Sequence, residues 1–262
     1  VLLHGLASTP KEFGLLLHPL RREGIAVHTP EVRGYSHGSL ARPAHWRDWV
    51  DAASEAIHAC VGSDTPFVLG GLCTGAILAL AVAARRPPSS LRGLALMSPI
   101  VAYDGWALPW WYRLRVLAYR LGLQDHFSMA ERPPYGLKNE RLRQWVRQQM
   151  TDETSTLVGP PRVRLQVVRE SERMSCEARG WLQQLQVPTI VLHAREDEIC
   201  SFSSVEAAVA AAPRELLRLT ALENSYHMIT ADNDRQLVAR ALAAHTQACV
   251  PAARALRTAA PA

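Results

Sequence analysis

Gly71-Leu72-Cys73-Thr74-Gly75 constrains this chain more tightly than any other stretch. An apolar run, Pro66 to Gly70, leads into it, and a helix-favouring run, Ala76 to Ala84, leaves it. The pattern predicts a strand, a tight glycine-flanked turn and a helix. Such a turn forces its central residue into a strained backbone conformation and pushes that side chain clear of a sheet. Small neighbours are required because strand and helix pack closely beside the turn. The central residue is Cys73, so the turn presents a thiol where an attacking group is displayed.

The rest of the chain supplies the sheet that such a turn needs. Short apolar runs are bounded by turn signals and separated by helical periodicity, which predicts a mostly parallel, doubly wound α/β sheet. Strands are expected at Val1–Leu3, Ile25–Thr29, Phe67–Gly70, Leu94–Met97, Thr189–His193 and Leu216–Leu219. Helices are expected at Phe13–Glu23, Trp46–Val61, Ala76–Ala84 and Asp234–Ala248. The stretch 104–180 breaks this rhythm. It holds Trp106, Trp110 and Trp111, the turn-forming Arg132-Pro133-Pro134-Tyr135-Gly136 and a helical run, Arg141 to Met150. Inserted between two strands, it is expected to be a lid over the strand C-terminal ends, where open α/β sheets bind ligands. The core would then be 1–103 with 181–250, and the Ala/Pro/Arg-rich 251–262 a disordered tail.

Composition excludes several classes. The chain has 262 residues, 48% hydrophobic, enough to bury one substantial core. No apolar stretch approaches the roughly 20 residues that span a bilayer. The net charge of +5 is carried by scattered arginines without a dense basic cluster, which speaks against nucleic-acid binding. The five cysteines, Cys60, Cys73, Cys176, Cys200 and Cys249, include no CxxC pair, which disfavours a disulfide framework or structural zinc and fits a cytoplasmic location. The first residues lie inside a strand pattern without an initiator Met, so a trimmed upstream segment is expected. Glycine-rich phosphate loops and HExxH motifs are missing, and no cofactor or metal is implied.

Three further segments make the chain resemble the α/β-hydrolase superfamily, and within it bacterial carboxylesterases and monoacylglycerol lipases. Val1-Leu2-Leu3-His4-Gly5-Leu6-Ala7-Ser8-Thr9-Pro10-Lys11-Glu12 is similar to the superfamily's His-Gly segment. Val187 to Asp197 resembles the strand and loop that deliver the acid, and Glu223 to Asp232 the loop that delivers the histidine. The resemblance covers most of the chain and implies a triad in the superfamily order: nucleophile Cys73, acid Asp197, base His227. The chain departs from the pattern in carrying cysteine for serine and in lacking the leading strands, and the lid matches less closely. Cys73 has three readings: a nucleophile, an inert core thiol, or a replacement for serine. Glu196, Glu198 and Asp104 stand as alternative acids. The backbone N–H groups of Leu6 and Thr74 are expected to form an oxyanion hole, with His4 ordering that loop. Trp106, Trp110 and Trp111 either line an acyl pocket or form lid core.

The expected chemistry is acyl transfer through an acyl-cysteine, to water or another acceptor. A thiolate leaves a tetrahedral intermediate more readily than an alkoxide. Attack on an alkyl ester therefore tends to revert, whereas attack on a thioester is nearly balanced. The expected substrates are thioesters, carried on coenzyme A or an acyl-carrier protein, or activated esters. A simple carboxylesterase or monoacylglycerol lipase is the alternative within the superfamily. A non-catalytic binding module on the same fold is the alternative outside enzymes.

Overall fold

The computed structural model of the protein describes residues 1–39, 45–151 and 161–250; the expected disordered tail, 251–262, lies outside them. Five strands form one parallel sheet in the order β1-β2-β3-β6-β7: Leu2–Leu3, Phe67–Leu72, Leu91–Met97, Thr189–Ala194 and Leu217–Leu222. Between β3 and β6 lies a separate antiparallel pair, β4 (Ser128–Ala130) with β5 (Arg162–Arg164).

Successive residues of the parallel strands face opposite sides, and each side is covered by its own helices. Val68, Ala95 and Leu192 pack with α1 (Gly14–Arg22) and α8 (Arg235–Cys249) through Leu16, Leu20, Val238 and Leu242. Leu69, Leu94 and Val191 point the other way, into a core built with α2 (Trp46–Val61), α3 (Thr74–Arg85) and α6 (Leu165–Gln183). Two covered faces explain why these strands read as continuous apolar runs. Helix α3 is central, with every residue from Thr74 to Val82 buried.

The expected strand at Ile25–Thr29 does not form. Its residues run beside β1, and Leu2 N–H donates to the His28 carbonyl at 2.8 Å, but no ladder develops. β1 contributes only two residues, so the edge it leaves free beyond its pairing with β2 is too short to build a second ladder.

The stretch between β3 and β6 holds a 3-10 turn at Trp110–Leu114, α4 (Arg115–Arg120), the β4–β5 pair, α5 (Glu140–Thr151) and α6. Arg115 Nε donates to Glu172 Oε1 at 2.5 Å, which ties α4 to α6, and its guanidinium lies 3.9 Å from the ring centre of Tyr112 on the preceding turn. Beyond β6, α7 (Phe202–Val209) is capped at its N-terminus by Ser201. Because the sheet is parallel, the C-terminal ends of β1, β2, β3, β6 and β7 lie along one edge. His4, Cys73, Ser98, Asp197 and His227 all follow those ends.

Candidate active site

The turn after β2 has the strained geometry that its composition implies. Cys73 sits at φ 62°, ψ −128°, a region that side-chain-bearing residues rarely occupy. The flanking glycines are steric necessities. A Cβ on Gly71 would overlap the Gly75 carbonyl oxygen, and one on Gly75 would overlap that of His4. The Cys73 N–H donates to the Met97 carbonyl at 2.9 Å, which anchors the turn to β3.

His227 and Asp197 come together from the loops after β7 and β6. His227 Nδ1 lies 2.7 Å from Asp197 Oδ2, and both side chains are buried. Asp197 Oδ1 accepts from the N–H groups of Ile199 and Cys200 at 2.9 Å each, which fixes the carboxylate. Burial works against the imidazolium of His227. The Asp197 carboxylate with its hydrogen bond, and the neighbouring Cys73, more than offset it and hold the pKa well above the ordinary value. Burial likewise opposes the charge of Asp197, and His227 overcomes it, so the carboxyl stays below its usual range. The other ring nitrogen, Nε2, has no hydrogen-bond partner among the described residues, although Cys73 is close enough to act on the ring.

The backbone of His227 is pinned on both sides. Its N–H donates to Glu198 Oε2 at 3.0 Å, and its carbonyl accepts from the Ser98 hydroxyl at 2.7 Å. Glu198 thus meets the histidine backbone and not its ring. Asp104 binds the N–H and hydroxyl of Ser201 and the hydroxyl of Ser204 at the start of α7. Glu196 pairs with Lys138 at 2.8 Å. Of the four carboxyl groups weighed as the acid, Asp197 is the one on the histidine ring. A second histidine, His193, also approaches Asp197 Oδ2, at 3.5 Å, and burial lowers its pKa.

Leu6 lies in the loop that leaves β1, and Thr74 opens α3, where the first N–H groups have no intrahelical acceptor. The His4 ring is buried: Nδ1 lies 2.8 Å from the Gly5 carbonyl and Nε2 lies 2.7 Å from the Ser36 hydroxyl. Burial lowers its pKa to about 4, so it is neutral at pH 7 and holds the loop. The Tyr35 hydroxyl donates to the His4 carbonyl at 2.8 Å from the other side.

Sequence reasoning missed Glu12. Its Oε1 accepts the Gly5 N–H at 2.6 Å, on the same loop as Leu6, and burial raises its pKa to about 7, against hydrogen bonds from Ser8 and Gly5 and the charge of His227. It stands at the end of the segment that resembles the superfamily's His-Gly segment, seven residues after Gly5 and inside the 3-10 turn Pro10–Phe13, but the sequence alone assigns it no role. The three tryptophans of the insertion's start are surface residues: Trp110 is 78% exposed, Trp106 60% and Trp111 37%, so they are not lid core. Trp106 stands nearest the histidine loop, edge-on to the Tyr226 ring and donating from Nε1 to the Glu196 carbonyl at 3.0 Å.

A parallel sheet with a strained turn after a central strand, and a carboxylate–histidine pair delivered by two later strand ends, defines an α/β-hydrolase. The family profile described as serine aminopeptidase, S33, matches residues 1–234, and the chain belongs to that family of α/β-hydrolases. Comparison with curated proteins returned no match. Among solved structures, the fold is similar to that of a metagenome-derived lipolytic enzyme (19% identity, TM-score 0.72, 93% of this chain and 91% of that one). It is also similar to a monoacylglycerol lipase from Paleococcus ferrophilus (18%, 0.67, 93% and 91%). A soluble variant of monoglyceride lipase from Saccharomyces cerevisiae aligns at 14% identity with TM-score 0.74, over 93% of this chain and 84% of that one. At these identities the likeness is one of fold.

Proposed function

We propose that this hydrolase works through an acyl-Cys73 intermediate, with His227 as base, Asp197 as its orienting acid and the N–H groups of Leu6 and Thr74 as the oxyanion hole. The observation that carries the reading is the 2.7 Å His227–Asp197 pair beside a cysteine held at φ 62° on the turn after β2. The Cys73 thiolate attacks the carbonyl carbon, and the oxygen takes up the charge between the two N–H groups. As the tetrahedral species collapses, the bond to the leaving sulfur or oxygen breaks and the His227 imidazolium protonates it. His227 then takes a proton from water as the water oxygen attacks the acyl-cysteine, and the returning thiolate ends the cycle.

Thioesters, on coenzyme A or a carrier protein, are the proposed substrates, because thiol exchange with Cys73 is nearly isoenergetic. Simple carboxylic or monoacylglycerol esters are the second reading, favoured by the lipolytic enzymes that share the fold. The surface tryptophans and the described residues of the stretch 104–180 that precede α6 serve in either case as a cap that sizes the acyl group, whereas α6 packs into the main core.

Acid-quenched mixtures of the protein with an acyl-CoA or an aryl ester, weighed by intact mass, test the reading. A single acyl adduct that maps to Cys73 and disappears in Cys73→Ala is expected, with turnover abolished in that variant and acyl-CoA the better acylating agent. Cys73→Ser is expected to move activity toward oxygen esters. Turnover in Cys73→Ala above a few percent of wild type, or tight ligand binding with neither adduct nor turnover, overturns it.

A further inference from the structure

Behind the nucleophile, three segments far apart in sequence bring hydroxyl groups into a line. Thr74 Oγ1, on the first residue of α3, lies 3.0 Å from Ser171 Oγ on α6. Ser171 Oγ lies 3.0 Å from the Tyr103 hydroxyl, which comes from the loop after β3. The near end of the line, Thr74 Oγ1, is 3.9 Å from Cys73 Sγ, within reach of a hydrogen bond to sulfur. Thr74 and Ser171 are completely buried. The next eight residues of α3, Gly75 to Val82, carry no polar side chain and are buried as well. Hydroxyls at this one end of an apolar helix interface are costly unless each finds a partner, and here each does.

The direction of the line depends on the charge of the sulfur. A thiol both donates and accepts, so the chain has no required order. A thiolate has no proton and only accepts. Each hydroxyl has a single proton, so charging Cys73 forces one arrangement: Thr74 donates to sulfur, Ser171 to Thr74, and Tyr103 to Ser171. Tyr103 keeps its proton to fill the last place, because burial and the neighbouring Cys73 both push its pKa up. Aligned donors in a buried site reinforce one another.

We propose that Tyr103, Ser171 and Thr74 form a hydroxyl relay that selectively stabilises the thiolate form of Cys73. They are positioning residues acting through the sulfur, and Ser171 makes α6 part of the nucleophile's environment. The proposal rests on the acyl-cysteine reading and deepens it. It also separates cysteine from serine at this position: a resting serine is neutral and leaves the relay without direction.

The test is the rate of Cys73 alkylation by iodoacetamide from about pH 5 to pH 9, followed by peptide mapping of the full-length protein. Below the midpoint of the profile, Thr74→Val is expected to slow alkylation about fivefold, Ser171→Ala less and Tyr103→Phe least. The curves converge at high pH, where every molecule holds a thiolate, and Thr74→Ser restores the wild-type profile. The same three substitutions in the Cys73→Ser background are expected to cost much less in ester turnover, a coupling that pure packing damage does not produce. Superimposable profiles for Ser171→Ala, Tyr103→Phe and Thr74→Val overturn the relay, as does a loss equal at every pH. Wild-type Cys73 alkylating no faster than the exposed Cys176 and forming no acyl adduct overturns the acyl-cysteine reading itself, and the relay with it.

Discussion

The proposed acid carries a pH consequence opposite to that of the proposed base and of Glu12. Asp197 has a depressed pKa, so its share of stability is present above the ordinary carboxylate value and lost as the folded carboxyl is protonated in acid. His227 has a raised pKa, so its share is complete below the unfolded imidazole value and lost as pH climbs through the folded one. Glu12 runs against Asp197 and sits in a window of its own. In the folded chain it keeps its proton to about pH 7, against 4.5 when unfolded, so the fold binds more protons across that window and stability falls as pH rises through it. Glu12→Gln is expected to remove that fall, worth on the order of 1–2 kcal/mol after allowance for partial exposure. Urea unfolding of both proteins at pH 5 and pH 7.5 gives the difference. For catalysis, Asp197→Asn is expected to cost on the order of a thousandfold in kcat, and His227→Ala nearly as much as Cys73→Ala. Asp104→Asn is expected to act only through the cap of α7; a severe kcat loss there would move the acid to the loop after β3. At this scale the sequence showed the triad candidates because each sits in a motif of its own. Glu12, Ser171 and Tyr103 stayed hidden because nothing near them in sequence reveals what the fold brings beside them; Thr74 and Ser171 are 97 positions apart.

Elements show the same division between local and distant causes. The turn after β2 was legible because steric demand writes itself as glycine at two fixed places. Gly71→Ala and Gly75→Ala each drive a methyl into a backbone oxygen, and each is expected to destabilise by more than about 3 kcal/mol or prevent folding. Gly180 is the control. It lies inside α6, and a methyl added there would meet nothing within 4 Å, so Gly180→Ala is expected to stabilise by about 0.5–1 kcal/mol. Denaturant midpoints for the three variants decide the matter. The residues Ile25–Thr29 misled for the converse reason: apolar, β-prone sequence predicts extended backbone, but a strand also needs a partner, and β1 offers only two residues. Alternation within β2, β3 and β6 was hard to see because both faces of the sheet are apolar, which blurs a period of two into a run.

For the molecule as a whole, the acyl-cysteine proposal requires an acyl group to reach the strand ends. Apolar side chains stand exposed along the stretch from Trp106 to Trp145, among them Leu114, Leu117, Leu121 and Phe127. With Trp110 so exposed, Trp110→Ala is expected to leave thermal stability within about 0.5 kcal/mol of wild type. Its effect, with that of Trp111→Ala, is expected in kcat/KM for long acyl chains, with short aryl esters little changed. Kinetics over an acyl-length series read this out, and an unchanged profile would place the acyl group elsewhere. The motion open to such a cap is limited at α6. That helix belongs to the main core through Val167, Met174, Ala178, Trp181 and Leu182, and Glu170 on it accepts the Trp46 N–H at 3.2 Å. A door hinged at its two ends would have to drag that helix out of the core. α6 is therefore a doorpost, and any opening is expected in the part that hangs on it through the Arg115–Glu172 pair. Amide hydrogens of α6 are then expected to exchange with solvent only in global unfolding, while those of α4 exchange in a separate, earlier opening that denaturant barely affects.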